Sequence, residues 1–438
     1  MRSATFGLLL LALGCTDELP PEGQILLYVN TDAPLPPGET ALFDRLRIDI
    51  FPPGATETCV GCSREFGIDA PTIDEGRASV GIAPPFGVQG YRARARLYRS
   101  GGTSSGEPRL ASTIESVVAL PATEPEGIIE VTVMLRTDDV ARQLGTLDDP
   151  IEPQFGPPRT GIVGTWPGAR RVDCPAPPRD DEVCVPGGAF WMGDPRLDLS
   201  AAFDLDGELE RLVVLSPFYL DREEVDVAAF RASGLAEYLV PGAPSDDPHE
   251  AGQNIPFCTF TSLPGSFEAH PVNCVTWHRS QLFCEQAGKL LPTEAQLERV
   301  LSGLGRTPFV WGTDQPRCED AVFERDEECS HLGTGPAPSG TGLRDRLSLA
   351  GGEIVDLAGN VLEWAADSWN RQEEPCWGTG VFFDPRCDLV SPSDGAARSF
   401  RGDDWQSSIE PAAVRSYQAF EMNAVSARLG FRCARPAE

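Results

Sequence analysis

Alternation of apolar and polar residues recurs along the N-terminal part of the chain. Residues 91–97 alternate Tyr, Ala, Ala and Leu with three arginines, and residues 45–50 alternate two arginines and Asp with Leu, Ile and Ile. Residues 129–135 repeat the period with Ile, Val, Val and Leu. A period of two places the apolar groups on one face of a strand. Because Pro- and Gly-rich turns separate these strands, residues 20–145 are predicted to form an all-β, antiparallel, immunoglobulin-like sandwich.

The arginines of residues 91–97, Arg92, Arg94 and Arg96, are predicted to lie on the outer face of this sandwich. A polyanion-binding surface is one interpretation of such a face. Solvated strand faces carry charged residues routinely, and Asp and Glu residues lie nearby, so we favour an ordinary solvent-exposed face.

Prolines then become frequent from residue 146 to residue 182. Proline lacks a backbone donor and fixes φ, which disfavours both helices and central strands. We therefore predict a semi-rigid linker that separates the sandwich from a second domain.

Helix signals follow in that second domain. Thr293 and Gln296 form a capping-box pattern directly after Pro292, and the helix that begins there is expected to end by Gly303. Gly288 lies just past a preceding apolar-periodic segment, where a left-handed residue commonly ends a helix.

Net charge and cysteine content limit the expected partners and the expected cellular compartment of the protein. The chain has a formal net charge of -30, so it should repel phosphate backbones, and nucleic acid is not an expected partner. The chain has 13 cysteines, and an even number remains when Cys15 is set aside. Several fall in local pairs (174 with 184, 318 with 329, 376 with 387), which is typical of disulfides in an exported protein. The pair Cys59 and Cys62 is predicted to close a small structural loop.

The chain begins MRSATFGLLLLALGC, with an apolar run too short to span a bilayer. Residues 1–14 are therefore predicted to be a signal peptide. A small residue directly before Cys15 resembles a bacterial lipobox, which implies lipidation of Cys15 and attachment to the envelope membrane. Thr16 favours the outer membrane over the inner one. The alternative is ordinary signal cleavage that leaves Cys15 spare.

Between residues 183 and 436, seven motifs resemble the formylglycine-generating enzyme (sulfatase-modifying factor) family, in the family's order. They are VPGGAFWMGD, SPFYLDREEVDVAAF, HPVNCVTWHRSQLFCEQAGKLLPTEAQLERV, FVWG, VDLAGNVLEW, SFRGDDW and RLGFRCARP. The resemblance implies an α+β domain of C-type-lectin-like fold. It also implies a disulfide between Cys284 and Cys433. His270 and His278 fall at positions where a structural or solvated histidine is expected.

The family binds calcium at the loop that VDLAGNVLEW resembles. Carried over by position, the ligands are Asp356 and Glu363 through side chains, and Gly359 and Val361 through carbonyls. Hard oxygen ligands of this kind suit calcium, which is the expected cofactor. The alternative is that Asp356 and Glu363 brace the loop through hydrogen bonds while Val361 and Trp364 pack in the core.

True formylglycine-generating enzymes hold copper(I) with two cysteines in a segment that SFRGDDW and the following residues resemble. Here Ser407 stands at the first cysteine position, and no cysteine occurs from residue 388 to residue 432. Hydroxyl groups cannot replace thiolates around copper(I), so copper is not expected and no catalytic residue is assigned.

A pseudoenzyme that recognises a carbohydrate, peptide or protein ligand, or acts as a scaffold, is the expected function. The candidate ligand-binding residues lie in the former active-site segment: Asp403, Asp404, Trp405, Gln406, Ser407 and Arg415. Trp405 could serve as an aromatic platform, although a structural role is favoured for Trp405 and Arg401. The alternatives are an oxidase acting on sulfatase cysteines and a structural envelope protein without a ligand.

Overall fold

The computed structural model describes residues 23–38, 40–193, 210–235, 257–305, 307–370, 376–392, 395–409 and 419–437. The predicted signal peptide, the predicted lipidation site Cys15 and the candidate ligand residue Arg415 lie outside these ranges. No helix among the described residues is both long and apolar enough to cross a membrane.

The N-terminal part forms two facing sheets, with strand orders β11-β9-β1-β4 and β10-β8-β5-β2-β3. Its elements are β1 (Gln24–Thr31), β2 (Arg45–Phe51), β3 (Ser63–Gly67), α1 (Ala70–Asp74), β4 (Ser79–Ile82), β5 (Arg92–Tyr98), β6 (Thr103–Ser104), β7 (Glu107–Pro108), β8 (Ile114–Ala119), β9 (Ile128–Leu135), β10 (Gln143–Leu144) and β11 (Gln154–Phe155). Apolar residues from both sheets share one core. The sheets are not wholly antiparallel as predicted, because β1 and β9 pair in parallel along eight residues and β10 is parallel to β8.

The outer face of the five-stranded sheet differs from the solvated face that alternation predicts. Arg96 is only 4% exposed and contacts Asp49 at 2.6 Å and Glu107 at 2.9 Å. Arg92 donates to the carbonyls of Pro52, Ala55 and Leu147. The arginine guanidinium groups are therefore held by strand, hairpin and loop partners, so this face is a largely covered ion-pair network.

The proline-rich segment is also not the spacer that composition predicts. β11 adds to the sheet next to β9, and Trp166 is 3% exposed within the sandwich core. The Trp166 indole donates to Asp138 at 2.7 Å. Proline density limits helix and central strand, but it does not prevent a segment from packing its apolar side chains.

The C-terminal part consists of small sheets and short helices. Its strands are β12 (Glu182–Val185), β13 (Gly188–Met192), β14 (Arg211–Leu215), β15 (Phe218–Asp221), β16 (Arg346–Leu349), β17 (Gly352–Val355), β18 (Leu362–Ser368), β19 (Val381–Phe383), β20 (Ala397–Arg401), β21 (Ala419–Glu421), β22 (Leu429–Gly430) and β23 (Ala434–Pro436), and its helices are α2 (Val227–Ala232), α3 (Trp277–Gln286) and α4 (Glu294–Leu301). The predicted capping box of Thr293 and Gln296 begins α4, and Gly303 has a φ of +55° beyond its end. Gly288 has a φ of +69° just after α3, as predicted.

The two parts pack directly against each other. The indole of Trp191, on β13, donates to the carbonyl of Leu42 at 2.8 Å and makes an edge contact with Phe43 at 5.5 Å. Arg99 pairs with Glu210 at 2.5 Å. Trp191 belongs to the sandwich core, so the second domain is not held away from the first.

Six disulfides use every cysteine of the described residues. They join 59 with 62, 174 with 184, 258 with 274, 284 with 433, 318 with 329 and 376 with 387. The predicted local pairs and the bridge between Cys284 and Cys433 are confirmed. That bridge ties α3 to the segment that leads into β23.

Candidate functional site

Ser407 lies in a polar cluster directly after β20. Its hydroxyl contacts Asp404 at 3.0 Å and is contacted by the guanidinium of Arg428. Asp404 is fully buried and pairs with Arg428 at 2.6 Å, and it accepts from the backbone N–H groups of Gln406 and Ser407. An oxygen cluster with one partly exposed charge pair therefore occupies the position where a thiolate would be needed.

Trp405 does not form an exposed platform. It is 2% exposed, its indole donates to the Ala427 carbonyl at 3.1 Å, and its ring lies 4.7 Å from that of Phe257. A buried, hydrogen-bonded indole stabilises the domain and offers no stacking surface to a ligand. The structural role favoured for Trp405 is the one that this geometry supports.

The remaining candidate ligand-binding residues differ in their solvent exposure. Asp403 is buried, whereas Gln406 is exposed and donates to Asp326 at 2.7 Å. Arg428, which sequence reasoning missed, keeps 37% of its side chain exposed. The surface that this segment offers is thus polar and is centred on Gln406, Ser407 and Arg428.

Arg401, the last residue of β20, is buried. Its guanidinium reaches Glu294 at 2.8 Å and Glu298 at 2.9 Å, both on α4. Because all three groups are buried, the ion pairs join β20 to α4 and Arg401 has no surface to offer a ligand.

The loop between β17 and β18 is held by buried carboxylates. Asp345 accepts from the backbone N–H groups of residues 357, 358 and 359. Glu224 accepts from the Asn360 side chain at 2.7 Å and from the Val361 backbone at 3.1 Å. Carboxylates that accept several backbone donors fix the loop conformation, including the left-handed φ of +71° at Asn360.

The two expected calcium carboxylates are both buried at this loop. Arg432 donates to both oxygens of Glu363, at distances of 2.6 to 2.8 Å. Asp356 accepts from the Gly340 backbone at 2.5 Å, and its own carbonyl accepts from Arg432 at 2.8 Å. Val361 is 1% exposed in the core. These contacts are those of the loop-bracing alternative.

The charge balance at the loop, in contrast, favours a bound cation. Burial raises the pKa of Asp356 to about 7, aided by the charge of Asp345, and burial also raises the pKa of Asp345 to about 6. The pKa of Glu224 is raised well above its ordinary value by burial and then by the charges of Asp356 and Glu363. Three buried carboxyl groups thus lie within electrostatic range of the Arg432 guanidinium in addition to Glu363, which contacts it, and an added cation would improve this balance.

The fit to calcium is accordingly partial. Among the described residues, no three His, Cys, Asp or Glu side chains form a group that could hold a metal ion. Asp356 and the carbonyls of Gly359 and Val361 could contribute, whereas Glu363 could contribute only by sharing its oxygens with Arg432. Calcium at this loop remains a prediction.

Comparison with known proteins identifies the family. Residues 171–437 match the model of the sulfatase-modifying factor enzyme 1-like domain, which is more than half of the chain. The chain belongs to this family. The C-terminal domain accordingly has the mixed, sheet-rich α+β fold of C-type-lectin-like type that the motifs imply, with few helices.

Relatives of the sulfatase-modifying factor domain include two bacterial formylglycine-generating enzymes. The one from Thermomonospora curvata is 30% identical over 301 residues, covering 58% of this chain and 92% of the relative. The one from Streptomyces coelicolor is 28% identical, covering 59% of this chain and 90% of the relative. Among solved structures, PvdO from Pseudomonas aeruginosa is 22% identical, covers 61% of this chain and 98% of its own, and has a TM-score of 0.41.

Several site residues could not have been selected from the sequence motifs. Glu224 lies 136 residues before its partner Asn360, and Asp345 precedes the loop that it holds by more than ten residues. Arg432 stands inside the terminal GFRCA motif, but nothing in that motif indicates its pairing with Glu363. The one available signal was the acidic run DREE, residues 221–224, in an otherwise apolar motif.

Proposed function

We propose that this chain is a lipid-anchored cell-envelope protein whose sulfatase-modifying factor domain recognises a polar ligand and does not oxidise cysteine. The match over residues 171–437 shows the family. The absence of catalysis, the lipid anchor and the ligand are the proposal.

The observation that carries the proposal is the state of the cysteines. All twelve cysteines after Cys15 are joined in disulfides, and the first catalytic cysteine position holds Ser407. Ser407 is fixed by Asp404 and Arg428, so a positive guanidinium stands where a cuprous ion would need thiolates. Soft metal binding is disfavoured both by the ligand type and by the neighbouring positive charge.

The second candidate is a formylglycine-generating oxidase, and the names of the relatives favour it. A direct assay separates the two. The purified protein is incubated with copper and a peptide that carries a sulfatase cysteine motif, and the peptide mass is followed. We expect the cysteine to remain unchanged, and conversion to formylglycine would refute the noncatalytic proposal.

The ligand is expected to be carbohydrate, peptide or protein, bound through hydrogen bonds and not through aromatic stacking. Gln406 is exposed and Arg428 is half-exposed, whereas Trp405 is buried. A screen of glycans, peptidoglycan fragments and peptides should give a ligand whose affinity falls on Gln406→Ala. The matched control is Gln143→Ala, an exposed glutamine on β10 of the sandwich. Binding that is unaffected by Gln406→Ala would place the ligand elsewhere, and no binding would favour a scaffold.

Two further parts of the proposal have their own tests. Mass spectrometry of the N-terminal peptide from the native host should show acylated Cys15, and an unmodified or absent Cys15 would remove the anchor. Metal analysis after dialysis against a weak chelator tests calcium, and retained calcium together with a raised melting temperature would support it.

A further inference from the structure

Exposed apolar side chains gather at one end of the sandwich. Phe86 is 65% exposed, Ile128 is 55% exposed, and Val60 is fully exposed at the tip of the loop closed by Cys59 and Cys62. Val88, two residues after Phe86, is also exposed, and so is Ile151, whose carbonyl accepts from the backbone of Ala119 at the end of β8. Single exposed apolar residues are ordinary, but a set of them on adjoining loops marks an interaction surface.

Hydrogen bonds place these loops at the same end. Arg92, at the start of β5, donates to the carbonyls of Pro52 and Ala55, which joins the 83–91 loop to the 52–62 loop. The Gly87 backbone donates to the Thr123 carbonyl, which joins the 83–91 loop to the 120–127 loop. We call these three loops, with Ile128 at the start of β9, the apolar loop end.

The described chain begins at this end. The Gly23 backbone donates to the Pro125 carbonyl at 3.1 Å, and Gln24 pairs with Ile128. Gly23, the first described residue, therefore lies beside the 120–127 loop. Cys15 is eight positions before Gly23 (23 minus 15), a distance that an extended chain spans in at most about 28 Å.

The sulfatase-modifying factor domain contacts the opposite end. Leu42 and Phe43 precede the start of β2, and Arg99 follows the end of β5, so all three lie away from the 52–62 and 83–91 loops. These are the residues that contact Trp191 and Glu210. The length of the sandwich thus separates the apolar loop end from the second domain.

We propose that the apolar loop end rests in the surface of the lipid bilayer, so that the sandwich stands on the membrane and presents the second domain outward. The proposal rests on the proposed anchor at Cys15, because a tether of that length brings the apolar loop end to the bilayer. Phe86 and Val60 then enter the headgroup region, where apolar side chains lose contact with water.

Charges at the rim of this surface specify the kind of bilayer. Glu57, Glu124 and Glu126 are exposed on the same loops, and Arg64 is exposed beside them. A net negative rim is repelled by anionic lipids. The occupant is therefore a zwitterionic lipid surface.

Fluorescence quenching tests this contact without depending on acylation. All eight native tryptophans lie at residue 166 or beyond, so Phe86→Trp places a new reporter at the apolar loop end. The chain from Thr16 onward carries an N-terminal hexahistidine tag in place of residues 1–15 and is held on phosphatidylcholine vesicles through nickel-chelating lipid. The vesicles are made with and without brominated acyl chains. Val60→Trp is the second reporter, and Leu343→Trp, 68% exposed on the other domain, is the matched control.

We expect brominated lipid to remove about half or more of the emission that the reporters at 86 and 60 add, since interfacial side chains reach about 5–10 Å into the bilayer. Emission from the reporter at 343 should not change. Unquenched reporters at both loop positions, or equal quenching at position 343, would overturn the proposal. Failure of the anchor itself appears separately, as an unacylated Cys15 in the native protein.

Discussion

The buried ion pair between Arg432 and Glu363 should contribute most of the stability of the loop between β17 and β18. Arg432 is 0% exposed, donates to both oxygens of Glu363, and also donates to the carbonyls of Val355 and Asp356. Replacement by Met keeps most of the side-chain volume and removes the charge. It leaves a buried carboxylate and two buried carbonyls without their donor.

Removing one partner of a buried ion pair costs about 3–5 kcal/mol, because the other charge stays buried and unpaired. At about 2–4 °C per kcal/mol for a domain of this size, Arg432→Met should lower the melting temperature by roughly 6–20 °C. Adding Glu363→Gln removes the unpaired charge. The double variant should therefore be less destabilised than the sum of the two single changes by about 1–3 kcal/mol.

Unfolding in denaturant, followed by tryptophan fluorescence and circular dichroism in the presence of a chelator, measures these free energies apart from any bound calcium. Arg386→Met is the control, since Arg386 pairs with Asp388 at 2.9 Å on the surface, with side-chain exposures of 39% and 66%. An exposed pair of this kind contributes about 0–1 kcal/mol. If Arg432→Met cost no more than Arg386→Met, or if the double variant were fully additive, the buried pair would not hold the loop.

Three further predictions concern pH, the disulfides and the domain contact. Burial, together with the nearby charge of Glu294, raises the pKa of Asp367 from 3.8 to about 7, so the folded state binds this proton more tightly than the unfolded chain. The stability that protonated Asp367 contributes should therefore be lost as the pH rises from about 4 to about 7, so the melting temperature should fall over this range. Asp367→Asn should make the melting temperature depend less on pH. An unchanged pH dependence would contradict the raised pKa of Asp367. The disulfide between Cys284 and Cys433 closes a sequence separation of 149 residues, and the one between Cys376 and Cys387 closes a separation of 11. Replacing both cysteines of a bridge by Ser should lower the free energy of unfolding in denaturant by about 5 kcal/mol for the first bridge and by about 3 kcal/mol for the second. A reversed order would contradict the chain-entropy reasoning. Trp191→Ala should lower the free energy of unfolding by about 3–5 kcal/mol and split a single calorimetric unfolding transition into two. One transition at an unchanged temperature would show that the two domains are not coupled through Trp191.

Local sequence patterns predicted those features that local physics controls. The capping box of Thr293 and Gln296 needs only three residues of separation, and it begins α4 as expected. Alternation correctly predicted the inward face of the β5 strand, where Ala93, Ala95 and Leu97 are fully buried. The pattern could not say whether the opposite face would be covered, because that depends on the hairpin carrying Glu107, which folds back onto it.

The candidate site was predictable in position but not in contacts. The motif located the loop around Asn360, yet the carboxylate that holds it comes from Glu224 in a different motif. Likewise, Ser407 was identified by its place in the family pattern, whereas its partner Arg428 lies 21 residues later. Contacts between residues so far apart in the sequence depend on tertiary packing, and a single sequence gives no local signal for them.

Copper(I) affinity tests the central claim most directly. The purified protein is titrated with copper(I) against a competing chelator of known affinity, with a true formylglycine-generating enzyme in parallel and thiols counted in both by a denaturing thiol assay. We predict no reactive thiol among the twelve cysteines after Cys15 and no competition for copper(I), because Ser407, Asp404 and Arg428 offer oxygen and positive charge in place of sulfur. Tight copper(I) binding that is lost on Ser407→Ala would contradict the account.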